Sequence, residues 1–128
     1  AYVSNESGRP EVYVQPYPGP GGKWQISTDG GMDARWSANG RELVYRNGDK
    51  MMAVDITTQP AFSAGKPKML FEGPYVPPSP SNSYYDVSAD GQRFLMLKPT
   101  EQAQAVTQIT VVQNWFEELK RRVPAGAK

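Results

Sequence analysis

The chain has 128 residues, room for one compact domain around one core. Its 14 Lys and Arg almost cancel 13 Asp and Glu, so there is no basic field of the kind that draws nucleic acid or an anionic membrane. With no Cys and no His, this chain alone can assemble neither a disulfide, a thiolate site, a Ser-His-Asp relay nor a His-liganded zinc centre.

Taken in order, the chain reads as short strands separated by turns. Ala1-Tyr2-Val3-Ser4 and Glu11-Val12-Tyr13-Val14-Gln15 are rich in β-branched and aromatic residues and predict a hairpin, closed by the polar, glycine-bearing stretch Asn5–Arg9. Tyr17-Pro18-Gly19-Pro20-Gly21-Gly22 predicts a loop, because proline cannot donate to a ladder. Lys23–Ser27 then alternates with period two. Arg35-Trp36-Ser37 opens a further strand, Ala38-Asn39-Gly40-Arg41 turns, and Glu42–Arg46 returns. After the turn Asn47-Gly48-Asp49, Met51–Ile56 places Met52, Val54 and Ile56 on one face. Lys68–Phe71 is the next strand.

Residues 73–83 carry four prolines and predict an extended loop. Tyr84–Val87, the Asp90-Gly91 turn and Gln92–Leu97 repeat the hairpin theme. Phe94–Leu97 is apolar at every position, so both faces of that strand are expected to be buried. Thr107–Val112 is a last predicted strand. A short helix over about 115–123 follows, with Asn114 and Glu117 at capping-box spacing and Pro124 as the stop. The cluster Lys120-Arg121-Arg122 complements the C-terminal end of that helix dipole. No apolar run nears the roughly 20 residues that span a bilayer. The opening Ala1–Glu6 has no basic-then-apolar signal pattern and no initiating Met. The expectation is a processed product or a piece of a longer chain.

Self-similarity carries the fold expectation. Ser37-Ala38-Asn39-Gly40-Arg41-Glu42-Leu43-Val44 matches Ser88-Ala89-Asp90-Gly91-Gln92-Arg93-Phe94-Leu95 at an offset of 51. Val12-Tyr13-Val14 is matched to Met52-Ala53-Val54 at offset 40, and that stretch to Ile109-Thr110-Val111 at a further offset of 57. Four antiparallel strands in about 40 to 45 residues is the size of a propeller blade. The expected fold is therefore all-β: about three four-stranded antiparallel sheets forming a partial β-propeller, with a short C-terminal helix. The units fall at about 1–30, 31–73 and 84–113. The competing reading is a generic sandwich in which two Asx-Gly hairpins coincide.

Trp36-Ser37-Ala38-Asn39-Gly40-Arg41-Glu42-Leu43-Val44-Tyr45 resembles the W-S-P-D-G-K blade signature of TolB-type, WD-repeat-like propellers, and Val87–Phe94 resembles it again. Ala38 and Ala89 stand where the family has proline, and Val87 stands where the first copy has Trp36. The chain looks like the C-terminal blades of TolB-like propellers attached to some bacterial serine/threonine kinases. That resemblance implies a binding or scaffolding module without catalysis or cofactor, in a periplasmic or other extracytoplasmic setting. The alternative it implies is the accessory propeller of a prolyl-oligopeptidase-like hydrolase whose catalytic residues lie outside this chain. Three blades fall short of the four to eight that close a ring. The expected partners are therefore a protein supplying the remaining blades, or a second copy completing a ring of about six as a homodimer.

The residues offer little chemistry. Asp29, Asp33, Asp49, Asp55, Asp86 and Asp90 do not form the alternating acidic loop of a calcium hand. Asp90 fits its turn. Gly19-Pro20-Gly21-Gly22-Lys23 lacks both the spacing and the Ser/Thr after Lys of a phosphate loop. No pair of carboxylates stands out for glycoside chemistry. Strand aromatics are commonly core. Tyr17, Tyr75, Tyr84 and Tyr85 lie in or beside proline-rich loops and are the candidate contacts for a ligand or partner.

Overall fold

The computed structural model describes residues 1–100, so the expected strand at 107–112 and the helix at 115–123 lie outside the described residues. Ten strands follow one another: β1 (Tyr2–Ser4), β2 (Glu11–Val14), β3 (Trp24–Gln25), β4 (Met32–Trp36), β5 (Glu42–Asn47), β6 (Lys50–Thr57), β7 (Ser63–Ala64), β8 (Lys68–Glu72), β9 (Tyr85–Val87) and β10 (Phe94–Met96). Every pairing is antiparallel. The protein is all-β over this range.

The strands form three separate sheets. The first runs β1-β2-β3. The middle one runs β4-β5-β6, with β7 and β8 both pairing β6. The third is β9-β10. The short pair β7, seated on Ile56 and Thr57, has no counterpart in the sequence reading; two residues, Ser63 and Ala64, carry too little pattern to reveal a strand.

Period-two alternation explains how the sheets stack. In β5, Leu43 and Tyr45 face the first sheet, where they join Val12, Val14 and Ile26; Met52, Val54 and Ile56 of β6 share that face. Val44 of β5 and Met51 and Ala53 of β6 face the opposite way, against Tyr85, Val87, Phe94 and Met96 of the third sheet. The middle sheet is thus buried on both faces at its central strands, β5 and β6. That is why its strands read as unbroken apolar runs such as Leu43-Val44-Tyr45 and Met51-Met52-Ala53-Val54. Fully burying one such side chain contributes about 1.5–3 kcal/mol.

The same logic corrects the expectation for Phe94–Leu97. Phe94 and Met96 pack inward, but Leu95 is 71% exposed and Leu97 50% exposed. Among the described residues, the third sheet is covered on one side only at these positions. The offset-40 match also fails at the level of faces. Val12 and Val14 look toward the middle sheet, while Met52 and Val54 look back at them across the same interface. A slip of one residue in a strand reverses every side chain, so residues facing opposite ways do not occupy equivalent places in a stack.

The offset-51 match holds down to individual hydrogen bonds. Ser37 N–H donates to Glu42 O at 2.9 Å, and Ser88 N–H to Arg93 O at 2.9 Å. Gly40 N–H reaches Ser37 O at 2.9 Å, and Gly91 N–H reaches Ser88 O at 2.8 Å. The Oγ of Ser37 accepts from Glu42 N–H at 3.0 Å, as that of Ser88 does from Arg93 N–H at 3.0 Å. Asn39 Oδ1 accepts from Arg41 N–H at 2.9 Å, and Asp90 Oδ1 from Gln92 N–H at 3.0 Å. Gly40 and Gly91 have φ of 68° and 71°, a left-handed backbone open to glycine at little cost. A third corner shares part of this pattern: Gly8, φ 95°, donates to Asn5 O at 2.9 Å between β1 and β2.

Candidate functional site

A cleft of about 710 Å³ opens where β1, the start of β4 and the loop before β9 converge. Its walls are hydroxyls and amides (Ser4, Asn5, Ser79, Ser81, Asn82, Ser83) with Val3, Pro10, Met32, Pro80 and one carboxylate, Asp33.

Asp33 is held in an unusual backbone. The β4–β5 ladder shifts register between Met32 and Arg35, and within that bulge Asp33 has φ of 52°. Left-handed geometry is tolerated by Asp better than by most non-glycine residues, and it marks positions where a side chain is re-aimed. Here the carboxylate is turned toward the third sheet. Asp33 Oδ2 accepts from Ser83 Oγ at 2.8 Å, and Asp33 O accepts from the Tyr85 hydroxyl at 2.6 Å. Arg35 extends the cluster: its Nη2 donates to Ser83 Oγ at 2.8 Å, its Nη1 to Asp86 Oδ1 at 3.2 Å, and its guanidinium lies 5.3 Å from the centre of the Tyr85 ring. Arg35 Nε is buried without a hydrogen-bond partner.

This cluster stitches β4 to β9, and its chemistry is that of a clasp. Burial, with Asp33 beside it, pushes the Tyr85 hydroxyl well above its ordinary value, so it stays a neutral donor. Tyr45 is likewise pushed up to about 12 by burial, with Glu11 and Asp29 adding to the rise. Burial alone would raise Glu11, but hydrogen bonds from Ser27, the Gly30 N–H and Arg9 outweigh it and lower its carboxyl below the ordinary range. Asp90 is also lowered, by the Ser88 hydroxyl and the Gln92 N–H; its carboxylate is spent on its turn. None of these shifts brings a group toward neutrality, where a general acid or base works best. Among the described residues no three His, Cys, Asp or Glu gather as metal ligands.

The four candidate tyrosines are not brought together. Tyr17 is 97% exposed on its loop. Tyr75 covers the buried Arg46, whose guanidinium sits 5.7 Å from its ring, and meets Phe71 edge-on at 5.9 Å. A Cβ on Gly73 would strike that ring at 2.8 Å, so glycine is needed for the close approach. Tyr84 is half-buried, with its hydroxyl 3.4 Å from Asn82 Nδ2. Tyr85 is core, and of the four it alone belongs to the clasp. Asp33, Arg35 and Ser83 were missed as site residues. Their types and spacing carry no motif; only the non-glycine left-handed backbone, invisible in sequence, singles them out.

A second buried polar group, Glu11, is tied by Arg9 at 2.8 Å, by the Ser27 hydroxyl and by Gly30 N–H at 3.0 Å. It pins the end of β2 to the loop leading into β4. No helix among the described residues is long and apolar enough to cross a membrane. No protein-family profile matches the chain, and neither a curated protein nor a solved structure emerges as similar to it.

Proposed function

We propose that this chain is a non-catalytic interaction module of propeller type, resembling TolB-like blades, which presents its loops and strand edges to a protein partner. One observation carries the reading: a sheet whose central strands β5 and β6 are buried on both faces, flanked by sheets, with the same hydrogen-bonded corner recurring 51 residues apart. Stacked antiparallel sheets joined by repeated corners are what blades require. The rim is polar and rich in loops, the usual place for recognition on a rigid scaffold. The pKa directions within it favour fixed hydrogen bonding over proton transfer. The remaining blades come from a partner polypeptide or from a second copy of this chain.

A crystal structure of the protein tests the architecture. Superposing the corner at Ser37 on that at Ser88 gives a rotation of about 45° to 90° about one central axis, the step of a ring of four to eight blades. A pure translation, or a closed barrel, overturns the reading. Turnover of peptide or ester substrates by the purified chain would overturn its non-catalytic part.

A further inference from the structure

An asparagine followed by glycine can modify itself, because a residue without Cβ lets its backbone nitrogen reach the preceding side-chain amide. The chain has two such pairs, Asn39-Gly40 and Asn47-Gly48, each in a turn with its glycine at positive φ, 68° and 57°. The fold treats them differently.

Asn39 is locked. The Gly40 N–H donates to Ser37 O at 2.9 Å, and Asn39 Oδ1 accepts from Arg41 N–H at 2.9 Å with the Ser37 hydroxyl 2.8 Å away. An attack by the Gly40 nitrogen must first dismantle that corner. Asn47 closes β5, opposite Lys50, and Gly48 and Asp49 form the two-residue loop to β6. Gly48 has positive φ and Asp49 does not, the pattern of a hairpin turn that takes glycine first. Among the described residues the Gly48 N–H has no acceptor, and a Cβ there would meet nothing within 4 Å. One hydrogen bond restrains the Asn47 amide: Nδ2 donates to Asp29 O at 3.0 Å.

We propose that Asn47 is a site of spontaneous deamidation, and that its conversion loosens the junction between the first and middle sheets. The Gly48 nitrogen gives its proton to hydroxide and bonds to Asn47 Cγ; the Cγ–Nδ2 bond breaks and ammonia leaves. Water then opens the five-membered imide at either carbonyl, giving aspartate or, with the chain rerouted through Cγ, isoaspartate. Water is the only reagent consumed.

The loop at Thr28–Gly30 registers the change. From the first sheet Arg9 reaches Thr28 O and Asp29 Oδ1, and Glu11 takes the Gly30 N–H at 3.0 Å. Among the described residues, Asn47 supplies the one hydrogen bond that reaches this loop from β5, β6 or β8. A carboxylate in its place has no proton for Asp29 O and sets an anion against that carbonyl. Conversion of Asn39 would be silent by contrast: Asp90 already stands in the equivalent corner and accepts from Gln92 N–H at 3.0 Å. The inference needs only the turn and its contact with Asp29, so it is independent of the propeller reading.

The full protein is aged in mildly alkaline buffer made with oxygen-18 water, folded and in urea, and mass spectrometry of its peptides follows label at both asparagines. In the folded protein Asn47 should convert about fivefold or more faster than Asn39, the factor that one further hydrogen bond represents. Urea should bring the two rates together. The denaturation midpoint of the wild type should fall as Asn47 converts, while that of Asn47→Gln, which keeps a donor but resists ring closure, holds steady under the same ageing. Asn39→Asp should melt with the fresh wild type. Folded-state conversion of Asn47 no faster than that of Asn39, or a ratio unchanged by urea, overturns the site. A sample converted at Asn47 that melts with the fresh protein overturns its consequence.

Discussion

Val44 and Leu95 occupy the same place in two corners that share their hydrogen bonds, yet Val44 is 2% exposed and Leu95 71%. Each is the second apolar residue after the turn; Val44 points away from the first sheet, and Leu95 away from the middle one that Phe94 and Met96 face. Beyond Val44 lies the third sheet; among the described residues nothing covers Leu95. Local sequence dictates the corner, because Ser, Asx and Gly satisfy its backbone groups without help. Burial is decided by the neighbour. A repeat therefore teaches the shape of a unit but not how many units follow it.

The contrast is tested most severely at Leu43. Its side chain is fully buried between the first and middle sheets, so Leu43→Ala should cost about 2–5 kcal/mol through lost transfer energy and a residual cavity. Urea denaturation measures it. A loss below about 1 kcal/mol would mean that the sheets are not packed together as described.

Glu11 tests the same junction through charge. Glu11→Gln weakens bonds to Arg9, Ser27 and Gly30 that are strengthened by the carboxylate, a loss of about 1.5–3 kcal/mol near neutral pH. Because the folded carboxyl is held below its ordinary value of 4.5, the wild-type advantage is complete above about that pH and fades as pH falls through the folded value. Denaturation midpoints of the two proteins should hold a constant gap from pH 7 to about 5 and converge in stronger acid. A gap independent of pH would show that the charge of Glu11 contributes nothing.

The paired serines sharpen the comparison further. Ser37→Ala and Ser88→Ala each remove an acceptor for one backbone N–H, and each should cost about 1 kcal/mol, with Ser88 the lesser because water can replace its hydroxyl. A cost at one site alone would break the equivalence of the corners. That equivalence was legible in the sequence, because eight positions recur in order and their turn chemistry is local. So was the hairpin around Gly48-Asp49 and the buried face of Met52, Val54 and Ile56. The clasp was not legible. Asp33, Arg35 and Ser83 meet only because β4 bulges and two sheets abut, and neither event leaves a mark in residue spacing. The Phe94–Leu97 run misled for the opposite reason: an apolar position states what a surface can bury, not what covers it.

Leu95 carries the smallest expected effect on stability and the largest on association. Leu95→Lys should move the folding free energy by no more than about 0.5 kcal/mol, since its side chain already stands in water. If two copies join to extend the stack, Leu95 and Leu97 form part of the face that meets the second copy, and a buried lysine there would be unpaired and costly. Light scattering at micromolar concentration should then give a dimer for the wild type and a monomer for the variant, with denaturation midpoints nearly unchanged at low protein concentration. A wild-type monomer would rule out that contact between copies. An unperturbed dimer would move the contact between copies away from the third sheet.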